Sequence, residues 1–183
     1  MDLRLIGYFP KNPSVPAGWT GPAHIAAIGS VSACLAEAPD GWIQRWLHND
    51  LGLFNTRADA RSVIPENAPG FSIFAYRLLT VRFATTGPEP LPVAEFPVEP
   101  IPASFVALGF DVGSRSLSSF FECSPLSCNL MAREIPVNEF CLLSNLDQAI
   151  AAAERFAQEQ PEPGSYYVVE VFADQGSTGT KAP

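Results

Sequence analysis

Residues 139–172 read EFCLLSNLDQAIAAAERFAQEQPEPGSYYVVEVF, and this stretch says most about the fold. Leu146, Ile150, Ala153 and Ala157 recur at helical spacing and mark one apolar stripe. Ser144 or Asn145 is placed to cap the first turn, and Asp147 follows as a capping-box acid. Pro161 and Pro163-Gly164 stop the helix near Gln158. The β-branched and aromatic run 166–172 predicts a strand, and 139–143 predicts a shorter one. Strand, helix and strand in one sheet would form a parallel unit with a right-handed crossover.

Upstream, residues 104–112 read as a strand, 113–119 as a polar loop, and 120–131 as a loop holding two close cysteines. Residues 88–102 contain six prolines, which remove amide donors and fix φ. An extended crossing between two halves is expected there, with Leu91, Val93, Phe96, Val98 and Ile101 lying against the body. Residues 71–83 form the strongest strand candidate, long enough for two strands or one with a bulge. Short helices are expected over 56–63 and, capped by Asp40, over 41–49, where Trp42, Ile43, Trp46 and Leu47 share a face. Residues 24–38 fit a buried helix, or a strand followed by a helix. Residues 2–9 read as a strand stopped by Pro10 and Pro13. No internal repeat is evident.

These pieces imply an α+β fold: a single compact domain with a mixed sheet, a C-terminal strand–helix–strand unit and a proline-rich crossing near mid-chain. The domain is expected over 1–173, with halves 1–86 and 103–173 joined by 87–102, and 174–183 as a flexible tail. The chain has 183 residues, 47% of them apolar and 16% charged, enough apolar material for a core. The net charge is −8. Residues 1–86 hold seven basic and six acidic side chains, whereas 87–183 hold four and thirteen. Such acidity argues against nucleic acid and anionic membranes as partners. A protein partner with a basic surface is expected instead. No apolar run approaches a membrane span and no secretory leader is read, so a cytoplasmic protein with reduced thiols is expected.

The candidate functional loop is Cys123, Ser124, Ser127, Cys128 and Asn129, with Arg115 nearby as an anion contact. Zinc needs four ligands, usually in close pairs. The second pair would have to come from Cys34, Cys141, His24 or His48, which are scattered, so no metal and no cofactor are expected. Cys34 and Cys141 read as small buried hydrophobes. Two histidines offer little for a Cys–His nucleophile, and there is no Gly-x-Ser-x-Gly elbow. Glu122, Glu134 and Glu139 have no spacing that pairs them. Trp19, in a Pro/Gly loop, reads as an exposed contact aromatic. The expectation is a non-enzymatic interaction module, of the inhibitor or immunity type, binding a basic partner through its acidic C-terminal half. The alternatives are an enzyme using the 123–129 loop, or a small-molecule binding module.

Overall fold

The computed structural model describes residues 2–32, 34–45, 47–90, 97–116 and 121–174. Trp46, the centre of the proline-rich segment (91–96), residues 117–120 and the expected tail from 175 onward lie outside them.

The α+β class holds, in a single small domain, but the sheet is antiparallel throughout rather than mixed. Its strands are β1 (Leu3–Lys11), β2 (Ser72–Phe83), the two-residue β3 (Glu89–Pro90), β4 (Phe105–Arg115) and β5 (Ser165–Asp174). The order is β1-β2-β5-β4, with β3 on the free end of β2. Three α-helices accompany them among the described residues: α1 (Arg57–Ser62), α2 (Pro125–Cys128) and α3 (Leu146–Glu159). The expected strand at 139–143 is the reason for the correction. Cys141 sits at φ +60°, which ends any extended run, and only Leu143 bridges to Phe110. No parallel crossover forms, and β4 takes the place beside β5.

One unit is built twice. In each half an outer strand, a tight asparagine-centred loop, a helix and an inner strand follow one another. In the first half, β1 shifts register between Leu5 and Gly7; in the second, β4 shifts between Ala107 and Gly109. Each bulge glycine has φ near +140°, and each lies under the loop that follows. A Cβ on Gly7 would stand 2.8 Å from the Phe54 carbonyl oxygen, and one on Gly109 would stand 2.6 Å from that of Leu143. Asn49 Oδ1 accepts from the Leu51 and Leu53 amides, and its Nδ2 donates to the Ile6 carbonyl. Asn138 does the same with Phe140, Leu142 and Leu108. Phe54 and Tyr8 exchange two backbone bonds of 2.8 Å, as do Leu143 and Phe110. Thr56 then caps α1 by accepting from the Asp59 amide, and Asn145 caps α3 by accepting from that of Gln148. The outer strands thereby gain partners along their open sides, which protects sheet edges from other chains. The two halves are thus two copies of one structural motif, although the sequence shows no internal repeat.

Several elements match the sequence reading and others shift for local reasons. Residues 71–83 give one strand with an irregularity between Leu78 and Arg82. β1 continues through Pro10 to Lys11, because an end strand tolerates a missing amide donor. β4 runs on to Arg115, so Arg115 belongs to a strand and not to a loop. α3 forms as expected, but it buries Ala149, Ala152, Ala153, Phe156 and Ala157 against the sheet, leaving Leu146 and Ile150 at the margin. The helix expected at 41–49 reduces to a 3-10 turn, Ile43–Arg45. So short a helix is marginal by itself, and Asn49 is already committed to the β1 bulge. The described residues of 24–38 form neither helix nor strand. Their amides go outward: Ile28 to the Pro13 carbonyl, Ala26 to Glu139, and Gly29 to Phe140. They make a strap that runs from the end of β1 to the far side of β4.

The charge asymmetry of the two halves closes partly on itself. Arg57 pairs with Asp174 at 2.6 Å, Arg77 with Glu170 at 2.7 Å, and Arg82 with Glu89. Lys11 faces Asp111 in the interior. In each case a first-half cation meets a second-half acid. No helix among the described residues is long and apolar enough to cross a membrane.

Candidate functional site

The segment from Cys123 to Asn129 turns sharply. Ser124 sits at the N-cap position and Pro125 opens α2, a position where proline needs no amide partner. The Ser127 and Cys128 amides both return to the Ser124 carbonyl, at 3.1 and 2.8 Å. This one turn folds Cys128 back beside Cys123. Leu126 is fully buried and anchors it. Trp19 is half-buried rather than exposed, and its Nε1 donates to the Ser127 carbonyl at 3.0 Å. The expected contact aromatic is therefore a clamp on the cysteine turn. Asn129 holds the other side, its Nδ2 donating to Glu162 Oε1 at 2.8 Å.

The strap brings a third sulfur. Cys34 is exposed, not a buried hydrophobe, and its amide donates to Ser32 Oγ at 3.0 Å. The same Ser32 hydroxyl donates to the Glu122 carbonyl at 3.0 Å, so Cys34 is pinned to the residue before Cys123. The Sγ atoms of Cys34 and Cys123 are 3.8 Å apart, and the three sulfurs of Cys34, Cys123 and Cys128 all lie within 4.8 Å of one another. Among the described residues this is the only group of three or more potential metal-ligating side chains gathered so closely. The Cys34–Cys123 edge equals the spacing of about 3.8 Å between two sulfurs that each stand about 2.3 Å from a tetrahedral centre.

Beneath the cluster lies a polar core. Asp111 has no exposed surface. Its Oδ1 accepts from Ser124 Oγ at 2.6 Å and its Oδ2 from the Val31 amide at 2.7 Å. Lys11, equally buried, donates to the Ser30 carbonyl and lies 4.6 Å from the Phe74 ring centroid. Burial lowers the Lys11 ammonium to about 7, with Asp111 pulling the other way. Burial likewise raises the Asp111 carboxyl, opposed by its bonds to Ser124 and Val31 and by Lys11.

The three thiols titrate as a unit. Cys128 is brought down to about 6, chiefly by the hydrogen bond from the Cys123 thiol. Cys123, as that donor, is pushed far up. Burial raises Cys34, and the neighbouring Cys128 adds to this. Cys141 stands apart in the core, raised to about 12 by burial.

The chain matches no known protein family, no curated protein and no solved structure.

Of the expected site residues, the fold unites Cys123, Ser124, Ser127, Cys128 and Asn129 around one turn. It places Arg115 in β4, where the guanidinium lies 5.7 Å from the centroids of both Phe121 and Tyr167. Arg115 is thus a half-buried strand residue beside two aromatic rings, not a loop residue. His24 and His48 are occupied with backbone carbonyls of Val137, Asn49 and Ile43. Cys34, a candidate ligand scattered from the others in sequence, is brought beside Cys123 by the strap. Only the serine-rich setting of that residue, Ser30 and Ser32, hinted that its segment would not be a plain apolar helix.

Proposed function

We propose that this protein binds a thiophilic cation, Zn²⁺ or Cu⁺ by chemistry, through the sulfurs of Cys34, Cys123 and Cys128. The observation that carries this is the triangle of three sulfurs, drawn from two distant segments and all within 4.8 Å of one another. Soft thiolates select such ions over Mg²⁺ or Ca²⁺. Three protein ligands leave a fourth position for water, a small ligand or a partner's donor, which is the pattern of working rather than purely structural sites. The exposure of Cys34 keeps that position open to solvent.

The test is titration of the reduced protein with Co²⁺ and Cd²⁺, reading the thiolate-to-metal absorption. One ion per chain is expected. Cys34→Ser, Cys123→Ser and Cys128→Ser should each abolish tight binding, and Cys141→Ser should leave it intact. Absence of a thiolate band in the reduced wild type defeats the proposal.

The depressed Cys128 thiol supports a second reading, a nucleophilic cysteine in an enzyme. Alkylation separates the two. A metal site predicts that Zn²⁺ protects all three cysteines together. A nucleophile predicts fast modification of Cys128 alone, unaffected by the ion. The interaction reading, in which the second half meets a basic partner, keeps only the acids that the first half does not already pair.

A further inference from the structure

We propose that Asp111 is the positioning residue of the thiol cluster, holding its two segments in register before any cation arrives. This rests on the metal-site reading for its purpose, though not for its geometry. The carboxylate has two oxygens and uses one for each segment: Ser124, next to Cys123, on Oδ1, and Val31, three residues before Cys34, on Oδ2. β4 carries Asp111, so one rigid strand is tied to both contributors. The bond from Ser32 to the Glu122 carbonyl then completes the link between them at the surface. Buried charge is costly and needs a reason. Simple packing would be met by an apolar side chain, and the repeated unit shows this directly. In the matched register of the halves Gly7 corresponds to Gly109, which makes Phe9 the counterpart of Asp111 and Gly113 the counterpart of Lys11. The first half fills the position with a phenyl ring; the second half, which bears two of the thiols, fills it with a carboxylate balanced by a buried lysine. Groups that orient metal ligands from behind typically change affinity about 10- to 100-fold when removed.

The experiment compares wild type, Asp111→Asn, and Asp111→Asn combined with Lys11→Met, the last removing the unmatched buried charge. Each is titrated with Co²⁺, and each in a Cys128→Ser background is treated with phenylarsine oxide, which then closes a ring only where Cys34 meets Cys123. Urea unfolding is followed alongside. The expected result is that Co²⁺ affinity falls about 10- to 100-fold in both variants, while the double variant recovers stability. Arsenical capture of Cys34 with Cys123 should weaken in parallel. Wild-type Co²⁺ affinity in either variant overturns the proposal, as does affinity that returns together with stability in the double variant. If wild type holds no Co²⁺, the metal reading falls and the arsenical decides alone. Capture weakened by Asp111→Asn sustains the positioning role, and unchanged capture ends it. Should Asp111→Asn fail to fold, Ser124→Ala serves in its place, since it severs one arm and leaves both charges.

Discussion

The two halves of the sheet use the same frame and differ in what hangs on it. Both have a bulged outer strand under an asparagine loop, a capped helix, and an inner strand beside the other's inner strand. They diverge in two places. Between β1 and Asn49 the first half carries the strap and a 3-10 turn, and then needs only the short α1. The second half inserts the compact turn around α2 and then the longer α3. The strap brings Cys34 and the turn brings Cys123 and Cys128, so the thiol cluster lies where the halves stop resembling each other. Shared features answer to stability, and departures from the shared pattern point to function. The Lys11–Asp111 pair is a departure of the same kind inside the core.

The most forceful way to break that comparison is through the helices. Ala60 and Ala149 are both fully buried, at matching places near the helix starts, yet only α3 continues far enough to insert Phe156 against Tyr166, 5.9 Å between centroids. Phe156→Ala should cost about 3–5 kcal/mol in urea unfolding, and Val63→Ala at the end of α1 about 1–3 kcal/mol. Equal losses would mean that α1 bears as much of the fold as α3.

The asparagine loops sharpen it next. Asn49→Ala and Asn138→Ala each strip acceptors from two loop amides and a donor from one strand carbonyl. Each loss should amount to about 2–4 kcal/mol, since unsatisfied inner polar groups cost about 1–3 kcal/mol apiece and some will regain water. The equivalence of the halves requires similar values. A difference above about 2 kcal/mol would show that one loop is held by other contacts.

Much of this frame was legible and some of it could not be. Local chemistry narrows the cap of α3 to Ser144 or Asn145, and the amide of Gln148 meets Asn145. β2 and β5 announce themselves by aromatic and β-branched content. The repeat stayed hidden because its defining bonds need only an asparagine, a residue able to take positive φ, and a leucine. Gly52 fills the second role in one half and Cys141 in the other, so identity is lost while geometry persists. The cluster was half legible. Cys123 and Cys128 were conspicuous by spacing, whereas Cys34 joins them across 89 residues through a strap without periodic pattern. Asp111 reads as one more polar residue in a strand, since nothing local reveals that both the donors to its carboxylate lie in other segments.

The buried pair offers a pH test of the asymmetry in the core. Lys11 holds its proton only up to about 7, against 10.5 for a free lysine. Between those values the unfolded chain keeps a proton that the folded chain has released, so rising pH favours folding. Below 7 both states are charged and the full burial cost is felt. Asp111 and Tyr76 face this ammonium with the Ser30 carbonyl, and Asp111 moderates the effect. Relative to the Lys11→Met, Asp111→Asn double variant, wild type should gain up to about 1 kcal/mol per pH unit from pH 7 to 10. Parallel stability curves would remove Lys11 as a titrating group and with it the cost that sets the second half apart.

The smallest effect probes the one position where the halves solve the same backbone problem with different residues. Gly52 takes φ +73° without strain, and Cys141 takes φ +60° with a side chain attached. A left-handed residue with a Cβ costs about 1–2 kcal/mol. Gly52→Ala should therefore destabilise by about that much. Cys141→Gly relieves the same strain but gives up a thiol that is 1% exposed in the core beneath α3. Burial of so small a group is worth about 1–2 kcal/mol, so the two contributions nearly cancel and the net change should stay within about 1 kcal/mol. Thiophilic ions should bind Cys141→Gly as they bind wild type, because Cys141 lies outside the cluster. A large loss of stability would show that Cys141 is held in place by packing the first half lacks. A loss of metal affinity would instead tie this loop to the sulfurs and make the second half a single functional unit.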